Sequence, residues 1–302
     1  MLKFNRNLRK SMRETLLMWR LYVMLLPVLL YFLIFKYVPM YGVVMAFQDY
    51  NLFDGVFGSS WVGLGNFKMI FSSIDFYKVI RNTLMLNALS MLFGFPIPII
   101  VALLLNEVRL ETFKKSVQTI ICLPHFLSWV IVASLFIPLF SISGGLINNI
   151  LTALGIEKIS FMMIKSWWVA IYVFLGVWKE FGWGTIIYLA ALTAVSPELC
   201  EAAEIDGASR FKQILHVHIP SIAPTIIVLF IMNIGKVLTI GFDQPYLLGN
   251  SSVLDVSDVI STYVYRVGIV FGDFSRSTAV GLFQGLVSLP LLFLANYLSR
   301  RY

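Results

Sequence analysis

The sequence is 302 residues long, carries a formal net charge of +7, and is 59% apolar and only 13% charged, with a mean hydropathy of +0.83. A water-soluble chain of this length could not bury so much apolar surface, which excludes an ordinary soluble domain. The excess of Lys and Arg follows the membrane topology derived below, so it gives no reason to expect a nucleic-acid partner.

Six apolar segments are long enough to cross a bilayer, which takes about 20 residues of helix. Strands of alternating polarity are absent from the sequence, so the pattern predicts an all-α membrane protein. Residues 1–20 form a basic N-terminal segment, and the apolar run after it is too long for a signal peptide and lacks a cleavage site, so we expect an uncleaved anchor. The predicted spans are 21–40, 82–105, 118–140, 167–191, 222–242 and 277–298.

The basic residues predict the orientation of this bundle. With six spans both termini lie on one side, and 13 of the 23 Lys and Arg residues fall in the segments on that side. Because such residues accumulate in cytoplasmic segments, both termini are predicted to be cytoplasmic, as is the charged segment around Glu201. The 13 residues are Lys3, Arg6, Arg9, Lys10, Arg13, Arg20, Arg109, Lys114, Lys115, Arg210, Lys212, Arg300 and Arg301.

Two longer segments on the opposite side leave their role open. Residues 41–78 are rich in glycine and aromatic residues, which is typical either of an aromatic belt at the membrane surface or of a docking surface for an external partner. Residues 243–276, which include three aspartates, are open to the same two interpretations.

The charged segment between the fourth and fifth spans has clear helix signals. Ser196 suits an N-cap and Pro197 a first helical turn, and Gly207 is the residue best able to adopt a left-handed C-cap. The pattern predicts one short helix up to Gly207 and a second over residues 208–218, which Pro220 ends before the fifth span.

The same segment resembles the EAA loop of permease subunits of binding-protein-dependent ABC importers. The string Glu201-Ala202-Ala203 is followed by Gly207 and then by Pro220, and the family's final Ile-x-Leu-Pro is here His218-Ile219-Pro220 preceded by Val217. The remainder, including a Trp-Val-Gly-Leu string at 61–64 and a Leu-Pro pair at 123–124, resembles the carbohydrate branch, the MalF-like and LplB-like permeases. The resemblance covers nearly the whole chain and implies a type I ABC importer permease fold.

This resemblance implies a set of partners and a role for the loop at about 196–220. The expected partners are a second related permease subunit, two cytoplasmic ATPase subunits, an extracytoplasmic solute-binding protein and a sugar, most simply an oligosaccharide or polysaccharide fragment. The loop would form coupling helices that dock on the ATPase. The residues expected to couple are Glu201, Ala202, Ala203, Asp206, Gly207 and Phe211.

The chain itself is not expected to hydrolyse ATP. A phosphate-binding loop needs a Gly five residues before its Gly-Lys pair, and the pair Gly235-Lys236 has Phe230 at that position. The chain is therefore predicted to be non-catalytic, with ATP and Mg²⁺ bound by the partner ATPase. No metal site is predicted either, since His216 and His218 lack ligand spacing, and His125 is expected to cap backbone carbonyls.

Polar residues inside the predicted spans are candidates for the solute path, because charges within a membrane tend to face cavities or one another. The candidates are Trp178, Glu180, Tyr188, Asn233 and Lys236. Aromatic faces and polar groups together suit a sugar. The alternative is purely structural, with Glu180 paired to Lys236 or Lys179 and the aromatic rings packed in the bundle.

Other functions stay open at this point. A stand-alone secondary transporter would be expected to show an inverted repeat and coupled charges at mid-membrane, and no such repeat is visible. A permease for a solute other than a sugar would share every feature of the fold. A membrane enzyme is disfavoured because no nucleophile, base and acid set occurs in the sequence.

Overall fold

The computed structural model describes residues 18–299, and helices dominate that part of the chain. Most of the basic segment 1–20 lies outside the described residues, as do Arg300 and Arg301. Between residues 18 and 299, β structure is limited to β1 (Gln48–Asp49) and β2 (Ser60–Trp61), which pair antiparallel. The predicted all-α architecture is confirmed.

Helices of very different length follow one another along the chain. In chain order they are α1 (Trp19–Phe32), α2 (Val38–Met40), α3 (Gly55–Gly58), α4 (Gly65–Ser72), α5 (Ile74–Gly94), α6 (Pro96–Asn106), α7 (Glu111–Cys122), α8 (Trp129–Leu139), α9 (Leu146–Ala153), α10 (Lys165–Leu192), α11 (Pro197–Ile205), α12 (Arg210–Gln213), α13 (Ile219–Gly235), α14 (Asp243–Leu248), α15 (Leu254–Ser257), α16 (Ile260–Tyr265) and α17 (Phe274–Ser299). Tight 3₁₀ turns cover Tyr41–Phe47, Leu123–Phe126 and Ser251–Val253, and wide π turns cover Leu33–Tyr37, Ile214–His218 and Arg266–Val270.

Four continuous helices are long and apolar enough to cross a membrane. They are Trp19–Phe47, Ile74–Asn106, Arg210–Gly235 and Phe274–Ser299. Two further pairs qualify only when their members are taken together: α7 with its 3₁₀ turn meets α8 at 96°, and α10 meets α11 at 76°. The described residues therefore hold four spans, or six if each bent pair counts as one.

The predicted span over residues 118–140 is divided between two helices that meet at 96°. Pro124 lies in the 3₁₀ turn that follows α7, and Ser128 begins α8 by accepting a hydrogen bond of 3.3 Å at its Oγ from the backbone N–H of Ile131. Proline and a capping serine both mark a helix boundary. The apolar run crosses this boundary unchanged, so hydropathy alone could not reveal it.

The predicted fifth span, residues 222–242, is also interrupted. α13 ends at Gly235, and residues 236–242 form an irregular stretch before α14. Gly235 packs closely on α17, where a Cβ at this position would lie 3.0 Å from the side chain of Leu292. Irregular backbone at membrane depth is tolerated only where it is buried in protein or lines a cavity. Several residues of this stretch do line one.

α10 runs through the centre of the bundle and carries much of its core. Trp168 is fully buried, and its Nε1 donates a 2.8 Å hydrogen bond to the carbonyl of Leu248 on α14. It shares a core cluster with Leu86 of α5 and Leu175 of α10. α1 has no buried residue at all, so its apolar surface is left uncovered by the rest of the described chain.

Candidate functional site

A cavity of about 640 Å³ opens between α5, α10 and the irregular stretch after α13. Small-molecule sites typically measure about 300–1,000 Å³, so this cavity is large enough for a small-molecule solute. Its walls combine aromatic rings, side-chain amides and two charged residues. The lining residues are Asn87, Ser90, Met91, Gly94, Phe95, Pro98, Trp129, Tyr172, Gly176, Val177, Glu180, Phe181, Trp183, Gly184, Ile187, Tyr188, Leu229, Asn233, Lys236, Val237, Thr239, Ile240, Gly241 and Gln244.

Two amides in the wall are held by backbone carbonyls. The Nε2 of Gln244 donates a 2.8 Å bond to the carbonyl of Tyr172, and the Nδ2 of Asn87 donates a 2.6 Å bond to the carbonyl of Val237. Gly176 makes room for the first, since a Cβ there would lie 3.2 Å from Gln244 Nε2. With a donor of each amide engaged in this way, its carbonyl oxygen remains as an acceptor for hydroxyl groups.

A charged cluster joins α10 to the kink between α7 and α8. The Nδ1 of His125 lies 2.8 Å from Glu180 Oε2, and the Nζ of Lys179 donates a 2.7 Å bond to the carbonyl of His125. Lys179 also lies 3.3 Å from Glu180 Oε1, although it is 7% exposed while Glu180 is exposed. The His125 ring stacks on Trp183 at a centroid distance of 4.7 Å. The carbonyl at the kink is thereby satisfied by an ammonium from another helix.

Gly182 allows α10 to approach this kink. A Cβ at position 182 would lie 1.9 Å from the carbonyl oxygen of Ile121 and 2.8 Å from the backbone nitrogen of Cys122, which no side chain can do. The close approach places Lys179, one turn earlier on α10, within reach of the His125 carbonyl. A backbone contact therefore sets the geometry of the charged cluster.

The structure brings together four of the five predicted path residues. Glu180, Tyr188, Asn233 and Lys236 line the cavity. Trp178 does not line it, because its ring packs edge to face on Phe136 at 5.0 Å and belongs to the core cluster around Trp168. Sequence reasoning missed the contributions of Asn87 and Gln244, whose positions depend on helices that are distant in sequence.

The histidines have partners that spacing did not predict. The expectation that the His125 side chain caps backbone carbonyls is wrong, because the ring bonds to Glu180 and the nearby carbonyl is satisfied by Lys179. His218 is buried with its Nε2 3.8 Å from Glu107 Oε1. His216 lies 3.0 Å through Nδ1 from the carbonyl of Lys212. The two rings thus lie next to separate groups.

The charged loop forms a helix with a glycine C-cap. α11 ends at Ile205, and Gly207 has φ +71°. The N–H of Gly207 donates to the carbonyl of Glu204 at 3.0 Å, and the N–H of Ala208 donates to that of Ala203 at 2.9 Å. These are the two bonds of a Schellman motif, which requires a left-handed residue at the position of Gly207. Ser196 is extended as an N-cap should be, but its side chain makes no capping bond.

Most residues expected to couple lie on the surface of this loop. Glu201, Ala202, Asp206 and Gly207 are exposed, as is Phe211, whose exposure is 69%; Ala203 is half-buried. Ile205 is 86% exposed and was not predicted as part of this set. Two large apolar side chains, Ile205 and Phe211, therefore flank the Gly207 turn and are left mostly uncovered by residues 18–299.

The second helix of the loop does not end at Pro220, so that prediction is wrong. α12, the π turn Ile214–His218 and α13 form one continuous helix, Arg210–Gly235. A proline removes one N–H and crowds the carbonyl four residues before it. The wider π turn just before Pro220 spaces the backbone differently, which relieves this crowding. The turn at Gly207 thus directly precedes the helix that carries the cavity residues Leu229 and Asn233.

Comparison with known proteins assigns the chain to a protein family. A family model described as "Binding-protein-dependent transport system inner membrane component" matches residues 94–302, more than half of the chain. The chain belongs to this family. The permease is thus a component of a binding-protein-dependent membrane transport system.

The permease has relatives of similar length in Bacillus subtilis (strain 168). It is 49% identical over 300 residues, 99% of this chain and 94% of the relative, to the polygalacturonan/rhamnogalacturonan transport system permease protein YteP. It is also 49% identical over 282 residues, 93% of this chain and 89% of the relative, to the protein LplB. The first similarity covers nearly the whole chain, including the cavity and the loop at Gly207.

Two solved structures share the fold of the permease. One is a bacterial ABC transporter involved in the import of the acidic polysaccharide alginate, with 41% identity, a TM-score of 0.89, and 97% and 99% of the two chains covered. The other is a bacterial alginate ABC transporter in complex with an alginate pentasaccharide-bound periplasmic protein, with 42% identity, a TM-score of 0.87 and 96% of each chain covered. The permease therefore has the fold of an ABC importer permease subunit.

Proposed function

We propose that the permease carries a saccharide, an oligosaccharide or a polysaccharide fragment, into the cytoplasm as one subunit of an ABC importer. The observation that carries this proposal is the cavity between α5, α10 and the end of α13. Trp129, Trp183 and Tyr188 offer ring faces for the C–H surfaces of a sugar, while Asn87 and Gln244 offer carbonyl oxygens for its hydroxyl groups. The names of YteP and of the alginate transporters support a saccharide cargo.

The subunit acts with several partners. A second, related permease completes the path, two cytoplasmic ATPase subunits bind ATP and Mg²⁺, and an extracytoplasmic binding protein delivers the sugar. The periplasmic protein in one similar structure supports the last of these. The charge distribution of the sequence supports a cytoplasmic position for both termini and for the coupling loop.

Coupling runs through the turn at Gly207. Closure of the ATPase dimer on ATP draws the docked α11 and α12 together, and the bundle opens outward to receive sugar; hydrolysis resets it to face inward. Glu201, Ala202, Ala203 and Asp206 supply the docking face together with Phe211, and the exposure of Phe211 and Ile205 supports this assignment. The substrate-path role falls to Glu180, Tyr188, Asn233 and Lys236, which line the cavity.

The test is the identity of the solute that drives the ATPase. The complete importer, with its partner permease, ATPase and binding protein, is purified, and ATP hydrolysis is measured with saccharides, amino acids and peptides. Stimulation by at least one saccharide is expected. Stimulation by an amino acid or peptide alone would reject the sugar assignment, and a permease that transports without any ATPase would reject the importer assignment.

A further inference from the structure

We infer that the cargo is an acidic saccharide and that Lys236 is the residue that selects its carboxylate, an inference that rests on the proposed function. Glu180 and Lys236 are the two charged residues among the described residues that line the cavity. Whether their charges are compensated within the chain therefore decides which charge the cavity presents to a solute.

The negative charge is compensated. Glu180 accepts from His125 at 2.8 Å through one carboxylate oxygen and lies 3.3 Å from the Lys179 ammonium through the other. Lys179 is itself buried and carries one full positive charge, which balances that of Glu180. The cluster therefore contributes no net negative charge to the cavity.

The positive charge is not compensated. No carboxylate among residues 18–299 lies within 4.0 Å of the Lys236 ammonium, and its side chain is exposed in the cavity wall. The pairing of Glu180 with Lys236, one of the two structural alternatives, is not formed. An unpaired ammonium in a cleft with low-dielectric walls attracts anions more strongly than one in bulk water.

Lys236 directly follows the end of a helix. α13 ends at Gly235, and the partial negative charge on the last carbonyls of a helix favours a cation near its C-terminus. This partial charge is not a full counter-ion. The Nδ2 of Asn87 donates to the carbonyl of Val237, the next residue, and so fixes the start of the irregular stretch.

The remaining polar groups fit a uronic acid. Asn87 and Gln244 each keep an acceptor oxygen and a second N–H donor, which suit hydroxyl groups. Lys236 is the one uncompensated positive charge among the described residues that line the cavity, and a carboxylate that meets it forms a charge-assisted hydrogen bond. The cavity thus combines amides that bind hydroxyl groups with a single unpaired cation. This combination suits a saccharide that carries a carboxylate, because a neutral sugar would leave the cation unpaired.

The test uses the complete importer in proteoliposomes and two matched pairs of trisaccharides. Trigalacturonate is compared with galactotriose, and trimannuronate with mannotriose, so that each pair differs in the carboxylate. Uptake is measured for the wild type, for Lys236→Met, for Lys236→Arg, and for the control Lys158→Met, which removes an exposed lysine remote from the cavity. Thermal stability and subunit content of each complex are measured in parallel.

We expect the wild type to import at least one acidic trisaccharide faster than its neutral counterpart. Loss of one charge-assisted bond should lower the acidic-to-neutral ratio in Lys236→Met by about tenfold or more. Lys236→Arg should keep most of the ratio, and Lys158→Met all of it. Neutral trisaccharides imported as well as acidic ones, or an unchanged ratio in Lys236→Met, would overturn the inference while saccharide import stood. No uptake and no ATPase stimulation by any saccharide would instead reject the proposed function.

Discussion

The Glu180 carboxylate lies 2.8 Å from the Nδ1 of His125, which ties α10 to the kink between α7 and α8. In Glu180→Gln, the buried Lys179 ammonium loses its counter-charge and keeps uncharged partners, the His125 carbonyl and the Trp129 ring 5.8 Å away. We expect a loss of about 1–3 kcal/mol in the free energy of unfolding, seen as a lower Tm of the purified complex. The exposed Glu157→Gln is the control, and equal melting of the two variants would show that the ion pair contributes nothing.

Gly182→Ala should disrupt the packing of α10 on the kink. The added Cβ would lie 1.9 Å from the carbonyl oxygen of Ile121, so one helix must move away from the other. Overpacking of this kind costs about 1–3 kcal/mol or more. The matched control is Gly281→Ala on α17, where a Cβ meets nothing within 4 Å and alanine favours the helix. Expression and Tm should fall for the first variant alone.

Ile205→Ser and Phe211→Ser should weaken ATPase binding without destabilising the permease. Both side chains are mostly exposed, so no packing within the chain is lost. Burial of such a side chain at an interface is worth about 1.5–3 kcal/mol, which predicts roughly tenfold less co-purified ATPase or more. Ile269→Ser, a change at a side chain that is 62% exposed on the predicted outer side, is the control. A loss of Tm in the coupling variants would indicate a structural role instead.

Position 207 should tolerate asparagine better than valine. Gly207 has φ +71°, and a Cβ there meets nothing within 4 Å, so the constraint is the backbone conformation rather than space. Asparagine adopts this conformation with modest strain and a β-branched residue does not. Gly207→Val should uncouple ATP hydrolysis from uptake, and Glu201→Lys should do so by reversing a charge on the docking face. Wild-type uptake and ATPase content in both would argue against coupling at this turn.

The Asp255–Lys165 pair should make the stability of the protein fall as the pH becomes acidic. The hydrogen bond and charge of Lys165, 2.5 Å away, hold the pKa of Asp255 below its usual value. Because the pKa of this carboxyl is lower in the folded protein than in the unfolded chain, its ionised form stabilises the fold at a pH above the unfolded pKa. This stabilisation is lost as the pH falls through the folded pKa. Asp255→Asn should lower Tm slightly at pH 7 and match the wild type in strong acid. Lys165→Met should lower Tm in the same way, and a constant difference from the wild type at every pH would contradict the assignment.

Local signals in the sequence were sufficient for the coupling turn. Pro197 and Gly207 act through the backbone conformations that they favour, which neighbouring residues hardly change. The α11 boundaries and the left-handed glycine follow from these two residues. The prediction that a helix ends at Pro220 was wrong because a π turn accommodates that proline. The residue types in this segment do not indicate a π turn.

The cavity could be predicted only in part. Polarity within apolar segments indicated Glu180 and Lys236, yet the pairing of Glu180 with His125 joins residues 55 positions apart and depends on the Gly182 contact. The apolar run continues past Gly235, so hydropathy could not show that α13 ends there. Trp178 is a residue type that often binds sugars, but its position on α10 directs its ring toward the core cluster instead of the cavity.

The continuous helix from Arg210 to Gly235 has the coupling turn at one end and Lys236 next to the other. Its 26 residues span about 39 Å at 1.5 Å per residue. If this helix tilts by about 5° about its Arg210 end, its Gly235 end moves by about 3 Å, which is the length of a hydrogen bond. On the proposed function, a small angular change at the Arg210 end would be enough to bring the Lys236 ammonium into contact with a solute or to withdraw it.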